Sequence, residues 1–394
     1  MVRRRTLPVG VAAVIALLVL TACGHDPGRQ DVRSGTGHED VPSALDNPDD
    51  PSLPATLIDP SDLVSGGPPP DGIPPIDHPE FAPAGEVDWL AETEPVLALT
   101  VGDETRAYPL QIMTWHEIVN DTVGGTPVAV TYCPLCNSGV AFRRRAAGRL
   151  LDFGTSGLLY VDNLVMYDRQ TESLWPQLTG EASIGVLTGT KLEAIPMGVT
   201  GWAQFRDAHP EALVLTRDTG FDRAYGTNPY VGYDAPDSDP LVEPPDGRDG
   251  RLPVKERVIG IRIGDASIAV PRSVVASAGV LTLDFAGSEL VLWHQPGQAS
   301  ALDASAIRKG ADIGTVGVFQ ARIGQQRLTF RRSGAGFVDV QTGSRWNLLG
   351  EATEGPLAGR RLTAQQHLDT FWFAWVGFQP DTEVYPIPGG APDH

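Results

Sequence analysis

Two cysteines three residues apart, Cys133 and Cys136, are the residues of this chain whose types and spacing best suit chemistry. They lie in the stretch TYCPLCNSG, and Cys23 is the third cysteine among 394 residues. A Cys-Pro-x-Cys turn closed by Asn or Gly is typical of a zinc or iron knuckle, in which backbone amides point at two thiolates. A redox thiol couple and a structural disulfide use the same spacing. The motif alone leaves all three alternatives open.

The surrounding sequence favours chemistry over an inert disulfide. A structural zinc site needs four ligands and the motif supplies two, so a zinc, copper or iron ion would need others. A thioredoxin-type couple opens a helix, whereas Gly139 and the following Val-Ala-Phe predict a loop and a strand. A disulfide here would close a very small loop and would remove little entropy from the unfolded chain.

His116 is the first candidate for a further metal ligand or for a base. It precedes Cys133 on a predicted short helix that leads into the cysteine strand. A histidine next to Trp115 also suits a buried core position, and a Cys133 thiolate activated by His116 would suit a cysteine-dependent enzyme. Two histidines, two thioethers that suit copper, and the carboxylate of an Asp-Gly-Ile-Pro turn are further candidates. They are His294, His367, Met166, Met197 and Asp71.

Other catalytic motifs are lacking. The sequence contains no GxSxG, HExxH or P-loop pattern. Residues 153–157, Phe-Gly-Thr-Ser-Gly, have neither a following helix nor a lysine, so they predict a loop and not a phosphate site.

The first 23 residues predict the cellular location. Three arginines precede an apolar run that ends in Leu-Thr-Ala-Cys, which is the pattern of a signal peptide over residues 1–22 followed by lipidation of Cys23. The run from Leu7 to Leu20 is shorter than the roughly 20 residues of a membrane-spanning helix. We therefore expect a protein on the extracytoplasmic face of the cell envelope, anchored to the membrane through Cys23. Residues 23–60, rich in Pro, Asp, Gly and Ser, predict a disordered tether.

The chain is acidic. Its formal net charge is −19, and loss of the signal peptide would remove three arginines and no acidic residue, which gives −22. An acidic surface repels phosphates, and the sequence has no basic stripe. We therefore expect no nucleic-acid partner.

An internal repeat organises the rest of the chain. Residues 96–110 match residues 258–272 at an offset of 162, and residues 168–192 match residues 339–362. Hydrophobic alternation around glycine turns predicts strands, and two segments without alternation, 110–121 and 199–210, predict short helices. The prediction is a mainly β fold with short helices, a β-rich α+β class, in which two tandem pseudo-repeats pack into one body. The predicted units are a first repeat over 61–216, an irregular connector over 217–254 and a second repeat over 255–394.

The two repeats differ at the cysteines. At the offset of 162, Cys133 aligns with Gln295 and Pro134 aligns with Pro296, so the second repeat keeps the loop and loses the thiols. The cysteines are therefore dispensable for the shape of the loop. By contrast, an Asp-Thr-Trp set recurs in both repeats, which indicates a structural turn with a buried indole. Its members are Asp168, Thr171 and Trp175, matched by Asp339, Thr342 and Trp346.

Several stretches together resemble a bacterial and archaeal family known as domain of unknown function 3179. They include GGPPPDGIPPIDHPEF, WHEIVND, VTYCPLCNSGVAF, NLVMYDRQTESLWPQLTGEA and NPYVGYD, and they cover nearly all of the chain after the tether. The resemblance implies that the His116 and cysteine blocks recur in such proteins, and it implies no activity. Asn137 stands where the resemblance implies a glycine, and Asn also tolerates the left-handed conformation.

Two functions of different classes fit these observations. The first is a lipid-anchored extracytoplasmic protein with a soft-metal or redox site at Cys133 and Cys136. The second is a binding or assembly module of the cell envelope, whose cysteines form a structural disulfide and whose partner is an envelope protein or a small molecule. Three tyrosines of the connector are the sequence support for the second function. They are Tyr225, Tyr230 and Tyr233.

Overall fold

The computed structural model describes residues 41–236, 238–242 and 247–387. Within these residues the fold is mainly β with four short helices, which confirms the predicted fold class. None of the described helices combines the length and apolarity needed to cross a bilayer. The predicted signal peptide and Cys23 lie outside the described residues.

The first half of the described chain contains fifteen short strands and two helices of seven residues. The strands are β1 Val64–Ser65, β2 Phe81–Pro83, β3 Pro95–Val101, β4 Glu104–Pro109, β5 Ile118–Val123, β6 Thr126–Cys133, β7 Ser138–Arg143, β8 Arg145–Ala146, β9 Arg149–Leu150, β10 Phe153–Tyr160, β11 Asn163–Asp168, β12 Leu174–Pro176, β13 Ala194–Ile195, β14 Met197–Gly201 and β15 Leu213–Leu215. The helices are α1 Leu110–His116 and α2 Trp202–Ala208.

The second half contains thirteen strands and two more helices of seven residues. The strands are β16 Arg257–Ile263, β17 Ala266–Pro271, β18 Val280–Phe285, β19 Ser288–Gln295, β20 Thr315–Gln320, β21 Arg322–Ile323, β22 Gln326–Arg327, β23 Phe330–Ser333, β24 Gly336–Asp339, β25 Arg345–Trp346, β26 Ala352–Glu354, β27 His367–Phe371 and β28 Glu383–Val384. The helices are α3 Arg272–Ala278 and α4 Trp372–Phe378.

The strands of the two halves follow the same order. One sheet runs β14-β3-β4-β15-β2 and another runs β27-β16-β17-β28, and in both the strand after the second helix joins in parallel. The meander β5-β6-β7 corresponds to β18-β19-β20, and β10-β11-β12 corresponds to β23-β24-β25. This order agrees with the predicted repeat, while the duplication itself stays a prediction.

The predicted hairpin turns form at glycines whose φ angle is positive. Gly102 between β3 and β4 has a φ of 62°, and Gly264 between β16 and β17 has a φ of 60°. Positive φ is the region that glycine occupies without steric cost. Each Gly-Asp pair therefore ends one strand and starts the next.

The two halves interlock at the loops that follow β6 and β19. The amide of Phe371, just before α4, donates to the carbonyl of Cys136 at 3.1 Å. The side chain of Gln204 in α2 donates to the carbonyl of Pro296 at 2.8 Å. Each half therefore holds the loop of the other half.

Both predicted helices are shorter than expected. The segment 110–121 is helical only to His116, because Glu117 adopts a φ of 59° and residues 118–123 pair in β5. The segment 199–210 is helical from Trp202 onward. The other residues of the two segments pair in strands with residues that are distant in the chain, and local sequence patterns do not reveal such pairing.

The segment Phe153–Gly157, expected as a loop, lies in strand β10. Its hydroxyl groups serve the fold, because Thr155 donates to the carbonyl of Ile73 and Ser156 donates to the carbonyl of Val165. The prediction of a loop was therefore wrong, although the segment has no phosphate-site character.

Residues 41–60, assigned by the sequence to the tether, lie against the body. Ala44 is fully buried, and Leu45 and Leu53 pack on the apolar cluster that contains Val165. The amide of Leu57 donates to a carbonyl of residue 183 at 2.9 Å. These contacts are with residues far along the chain, so composition did not reveal them.

The repeated aspartate turns confirm the structural role expected of them. Asp168 accepts from the amide of Thr171 at 2.7 Å and from the indole of Trp175 at 3.0 Å. In the second half Asp339 accepts from Thr342 at 2.6 Å and from Trp346 at 3.0 Å. Both carboxylates and both indoles are buried.

Candidate functional site

The cysteine loop joins two neighbouring strands of one sheet. β6 ends at Cys133 and β7 begins at Ser138, and these residues form the last pair of the ladder. The amide of Asn137 donates to the carbonyl of Pro134 at 3.1 Å, and Asn137 has a φ of 53°. Asn tolerates this left-handed conformation better than most residues. The tight reversal brings the two cysteine sulfurs together.

The two sulfurs form a buried pair of free thiols. Cys133 Sγ lies 3.4 Å from Cys136 Sγ, and the side chains are 2% and 0% exposed. A disulfide bond has a sulfur–sulfur length of about 2.05 Å. The two atoms therefore need to approach by only about 1.3 Å to form one.

The turn between β10 and β11 brings polar groups onto the sulfurs. The carbonyl oxygen of Asp162 lies 3.3 Å from Cys136 Sγ and 3.6 Å from Cys133 Sγ. The amide of Leu164 donates to Cys133 Sγ at 3.4 Å, and the side-chain amide of Asn163 donates to Cys136 Sγ at 3.5 Å. The sulfurs therefore contact one carbonyl that can accept a hydrogen bond from a thiol and two amides that can donate hydrogen bonds to a thiolate.

This turn has an uncommon backbone. Val161 and Asp162, at its tip, have φ values of 51° and 56°. A β-branched residue in this region is a genuine outlier, and such strain costs of order 1–3 kcal/mol. The side chain of Asn163 supports the turn, because its oxygen accepts from the amide of Leu178 at 3.0 Å.

A buried polar network joins this turn to the cysteine sheet. The Gln177 oxygen accepts from the side chains of Asn163 at 2.9 Å and Ser138 at 3.0 Å. The Gln177 nitrogen donates to the hydroxyl of Thr131 at 3.0 Å and to the carbonyl of Ser138 at 3.1 Å. A buried amide with all its hydrogen bonds made is rigid. Asn163 is thereby held against Cys136.

The two thiols differ in acidity. Burial works to raise the pKa of Cys133, but hydrogen bonds from Cys136 and from the amide of Leu164 outweigh burial and lower it. Burial raises the pKa of Cys136 well above the ordinary value, and the neighbouring Cys133 charge raises it further. Of the two thiols, Cys133 is therefore the more acidic and Cys136 the less acidic. This difference suits a nucleophile with a resolving thiol beside it.

The connector covers the pair. Tyr230 and Tyr233 pack against the apolar cluster that contains both cysteines. Lys255, 2% exposed, donates to the carbonyl of Tyr233 at 2.6 Å and to the hydroxyl of Ser238 at 2.9 Å, and its ammonium lies 3.3 Å from the centre of the Tyr233 ring. Burial lowers the pKa of Lys255 to about 8. These tyrosines therefore face inward, although the sequence suggested a binding surface.

A cavity of about 240 Å³ opens behind the turn that carries Asp162. It is lined by Val161 of that turn, by Val254 and by Trp372 and Phe373 of α4. Val254 and Phe373 also belong to the apolar cluster around the cysteines. The cavity therefore borders the apolar cluster that contains the cysteines, although neither cysteine lines it.

His116 is engaged away from the thiols. Its Nδ1 lies 2.7 Å from the carbonyl oxygen of Pro74, and its Nε2 lies 2.6 Å from the hydroxyl of Tyr225. Burial lowers the pKa of His116 to about 4, so the ring is neutral near neutral pH. Among the residues that the structure describes, no three or more His, Cys, Asp or Glu side chains group around a metal position. The structure therefore does not assemble Cys133, Cys136 and His116 into one metal site.

The other candidates are also occupied elsewhere. A ring nitrogen of His294 contacts the carbonyl of Ile313 at 3.1 Å, and one of His367 contacts the carbonyl of Gln365 at 2.9 Å. Asp71 accepts from the hydroxyl of Tyr167 and from Arg169. Of the methionines, Met166 lies in the apolar cluster of the cysteines and Met197 lies in a different one.

Sequence reasoning missed most of the residues that surround the sulfurs. Asp162 and Asn163 carry no motif and follow the cysteines by more than twenty residues. The sequence does contain a signal for Glu117. At the offset of 162 this glutamate aligns with Gly279, so the polar residue is present only in the half that carries the cysteines. Glu117 as a residue is 7% exposed, and burial raises its pKa well above the ordinary value.

Comparison with known proteins identifies the family. The chain has no match among curated proteins and none among solved structures. The model of one family, described as protein of unknown function (DUF3179), matches residues 70–382, which span the cysteine loop, the connector and most of the second half. The chain therefore belongs to this family, as its motifs suggested.

Proposed function

We propose that the chain is a lipid-anchored extracytoplasmic protein whose Cys133 and Cys136 cycle between dithiol and disulfide by exchange with a disulfide of another molecule. The observation that carries the proposal is the buried sulfur pair, 3.4 Å apart, with a lowered pKa at Cys133 and a raised pKa at Cys136. One sulfur is thus a nucleophile, and the other is placed to resolve the intermediate.

The exchange balances without any further oxidant or reductant. The Cys133 thiolate attacks one sulfur of the co-reactant disulfide, a Cys133–sulfur bond forms, and the other sulfur leaves as a thiolate. Cys136 loses its proton and attacks Cys133, so the mixed disulfide breaks and the second thiolate leaves. Two electrons pass from the cysteine pair to the co-reactant, whose two thiolates become thiols by taking one proton from Cys136 and one from water.

The neighbouring groups support this chemistry. The amide of Leu164 stabilises the thiolate of Cys133, as backbone donors do for an anion. The carbonyl of Asp162 lies within reach of both sulfurs and accepts a hydrogen bond from the thiol. Because both cysteines are buried, the co-reactant reaches Cys133 only after the cover of Tyr230 and Tyr233 moves.

A soft-metal site is the less well supported version. Structural zinc takes four ligands, and the described residues group no third His, Cys, Asp or Glu with the two thiols. Two thiolates alone suit a copper(I) ion. The envelope binding module with a structural disulfide is the remaining alternative.

A redox titration of the full chain tests the proposal. The protein, purified without oxygen, is equilibrated with glutathione buffers, and free thiols are counted by alkylation and mass spectrometry, with elemental analysis in parallel. We expect a reversible two-electron transition that is lost in Cys133→Ser and Cys136→Ser. A disulfide that stays oxidised below about −300 mV would instead indicate a structural bond. Copper in the sample as purified, at one ion per chain, would favour the metal version.

A further inference from the structure

Glu117 and Gly279 occupy the same place in the two halves. Each follows the first helix of its half, with φ and ψ of 59° and −31° for Glu117 and of 70° and −38° for Gly279. Each accepts at its carbonyl from the strand that leads to the loop, from Tyr132 at 2.8 Å and from His294 at 3.0 Å. The backbone therefore demands a left-handed residue in both halves, and glycine meets that demand without strain.

The half with the thiols keeps a glutamate at this strained position. The residue is 7% exposed, and within the described part of the chain its carboxyl group has neither a hydrogen-bond partner nor an ion pair. Burying a carboxyl group that has no hydrogen-bond partner is unfavourable. Glu172 also stands opposite a glycine, Gly343, in a left-handed turn, but Glu172 is half-buried and lies in the Asp168 turn.

Glu117 lies beside the strand that carries Cys133, because its carbonyl accepts from the amide of Tyr132, the residue before Cys133. After burial, the charge of Cys133 is the second influence that raises the pKa of Glu117. Tyr230 of the connector lies near the same groups. Burial is the main cause that raises its pKa, and the charges of Glu117, Cys133 and Tyr132 raise it further. His116, the neighbour on α1, is neutral near neutral pH because burial lowers its pKa to about 4. The cation that acts on Tyr132 is Arg257, whose charge opposes the rise in the pKa of this tyrosine, and its guanidinium is paired with Asp234 at 2.7 Å.

We propose that Glu117 is the proton store of the Cys133–Cys136 pair, ionised when the pair is a disulfide and protonated when the pair is reduced. This inference rests on the proposed dithiol function. Reduction converts the disulfide and the Glu117 carboxylate, with two electrons and two protons, into a Cys133 thiolate, a Cys136 thiol and a neutral Glu117 carboxyl group. A dithiol donor supplies both electrons and both protons and ends as a disulfide. One negative charge is present before and after, so the buried site never holds two.

The reduction potential as a function of pH tests this. A proton taken up with two electrons changes the equilibrium tenfold per pH unit, or about 30 mV. The relevant pH range lies between the pKa of Glu117 in the oxidised protein and its pKa in the reduced protein. In this range we expect the reduction potential of the wild type to fall more steeply with pH than that of Glu117→Gln, by about 30 mV per pH unit. Infrared difference spectra should show the carbonyl stretch of a protonated carboxyl group on reduction, and Glu117→Gln should lack it.

Two further variants separate this role from a structural one. Glu117→Gly restores the residue found at Gly279, so it should fold and should show the shallow pH dependence. Glu172→Gln changes the other left-handed glutamate and should keep the wild-type slope. Equal slopes in wild type and Glu117→Gln, with a reversible dithiol in both, would overturn the role of Glu117 alone. A wild-type pair that cannot be reduced and reoxidised would overturn the dithiol function itself.

Discussion

The backbone amide of Phe371 donates to the carbonyl of Cys136 at 3.1 Å, so the second half of the chain holds the cysteine loop of the first. The hydroxyl of Thr370 donates to the same carbonyl at 2.8 Å. The thiol site is therefore built from both halves, although only one half carries the thiols.

Thr370→Val removes one of these two bonds while keeping the shape of the side chain. We expect a loss of about 1–3 kcal/mol in the free energy of unfolding, since a buried carbonyl loses a donor. We also expect faster alkylation of Cys136 in the native protein. Thr200→Val is the matched control, because Thr200 precedes α2 as Thr370 precedes α4 and is equally buried. Equal alkylation rates in the two variants would contradict the role of Thr370.

Cys136→Ala should raise the pKa of Cys133. The hydrogen bond from Cys136 opposes the effect of burial and helps to lower that pKa, and alanine cannot donate. The alkylation rate of Cys133, followed by mass spectrometry across a pH series, should reach its midpoint at higher pH in the variant. In Cys133→Ala the remaining thiol should react slowly, because burial raises the pKa of Cys136. Unchanged midpoints would show that the sulfurs do not share a proton.

His116 should make the protein less stable in acid. Burial lowers its folded-state pKa from 6.5 to about 4. Between pH 4 and pH 6.5 His116 is therefore protonated in the unfolded chain and neutral in the folded chain. Stability from this group is present above pH 6.5 and falls as the pH drops toward 4, by at most about 3 kcal/mol. Urea unfolding at several pH values should show a smaller fall for His116→Gln than for the exposed control His78→Gln.

Asp168→Asn and Asp339→Asn should each destabilise the protein by about 2–4 kcal/mol. Each carboxylate accepts from a threonine amide and hydroxyl and from a buried indole, and hydrogen bonds to charged groups are the stronger ones. The two residues lie in different sheets, so the double variant should lose the sum within about 0.5 kcal/mol. A much smaller effect of one variant would show that its turn is not needed.

Lys255→Met should loosen the cover of the thiols. The variant keeps the apolar stem and removes the donor to the carbonyl of Tyr233 and the hydroxyl of Ser238. Alkylation of Cys133 in the native protein should become faster, while Lys191→Met, at an exposed lysine, should leave the rate unchanged. A rate equal to wild type would place the access route elsewhere.

Local patterns in the sequence predicted the strands, the glycine turns and the position of the cysteine loop. Hydrophobic alternation and turn residues are local signals that span only a few positions, so each segment can be predicted by itself. The same locality explains the errors. The helix predicted over 110–121 ends at His116, and Phe153–Gly157 pairs as a strand, because partners distant in the chain decide both.

The sequence by itself determined the mainly β class, the family and the two thiols that stand out for chemistry. Only the tertiary structure decided what surrounds those thiols. Asp162 and Phe371 reach the cysteine loop from distant strands, and His116 turns toward Tyr225 instead of the sulfurs. Such contacts depend on how strands pack across the whole chain, and the acidity of a buried group depends on them.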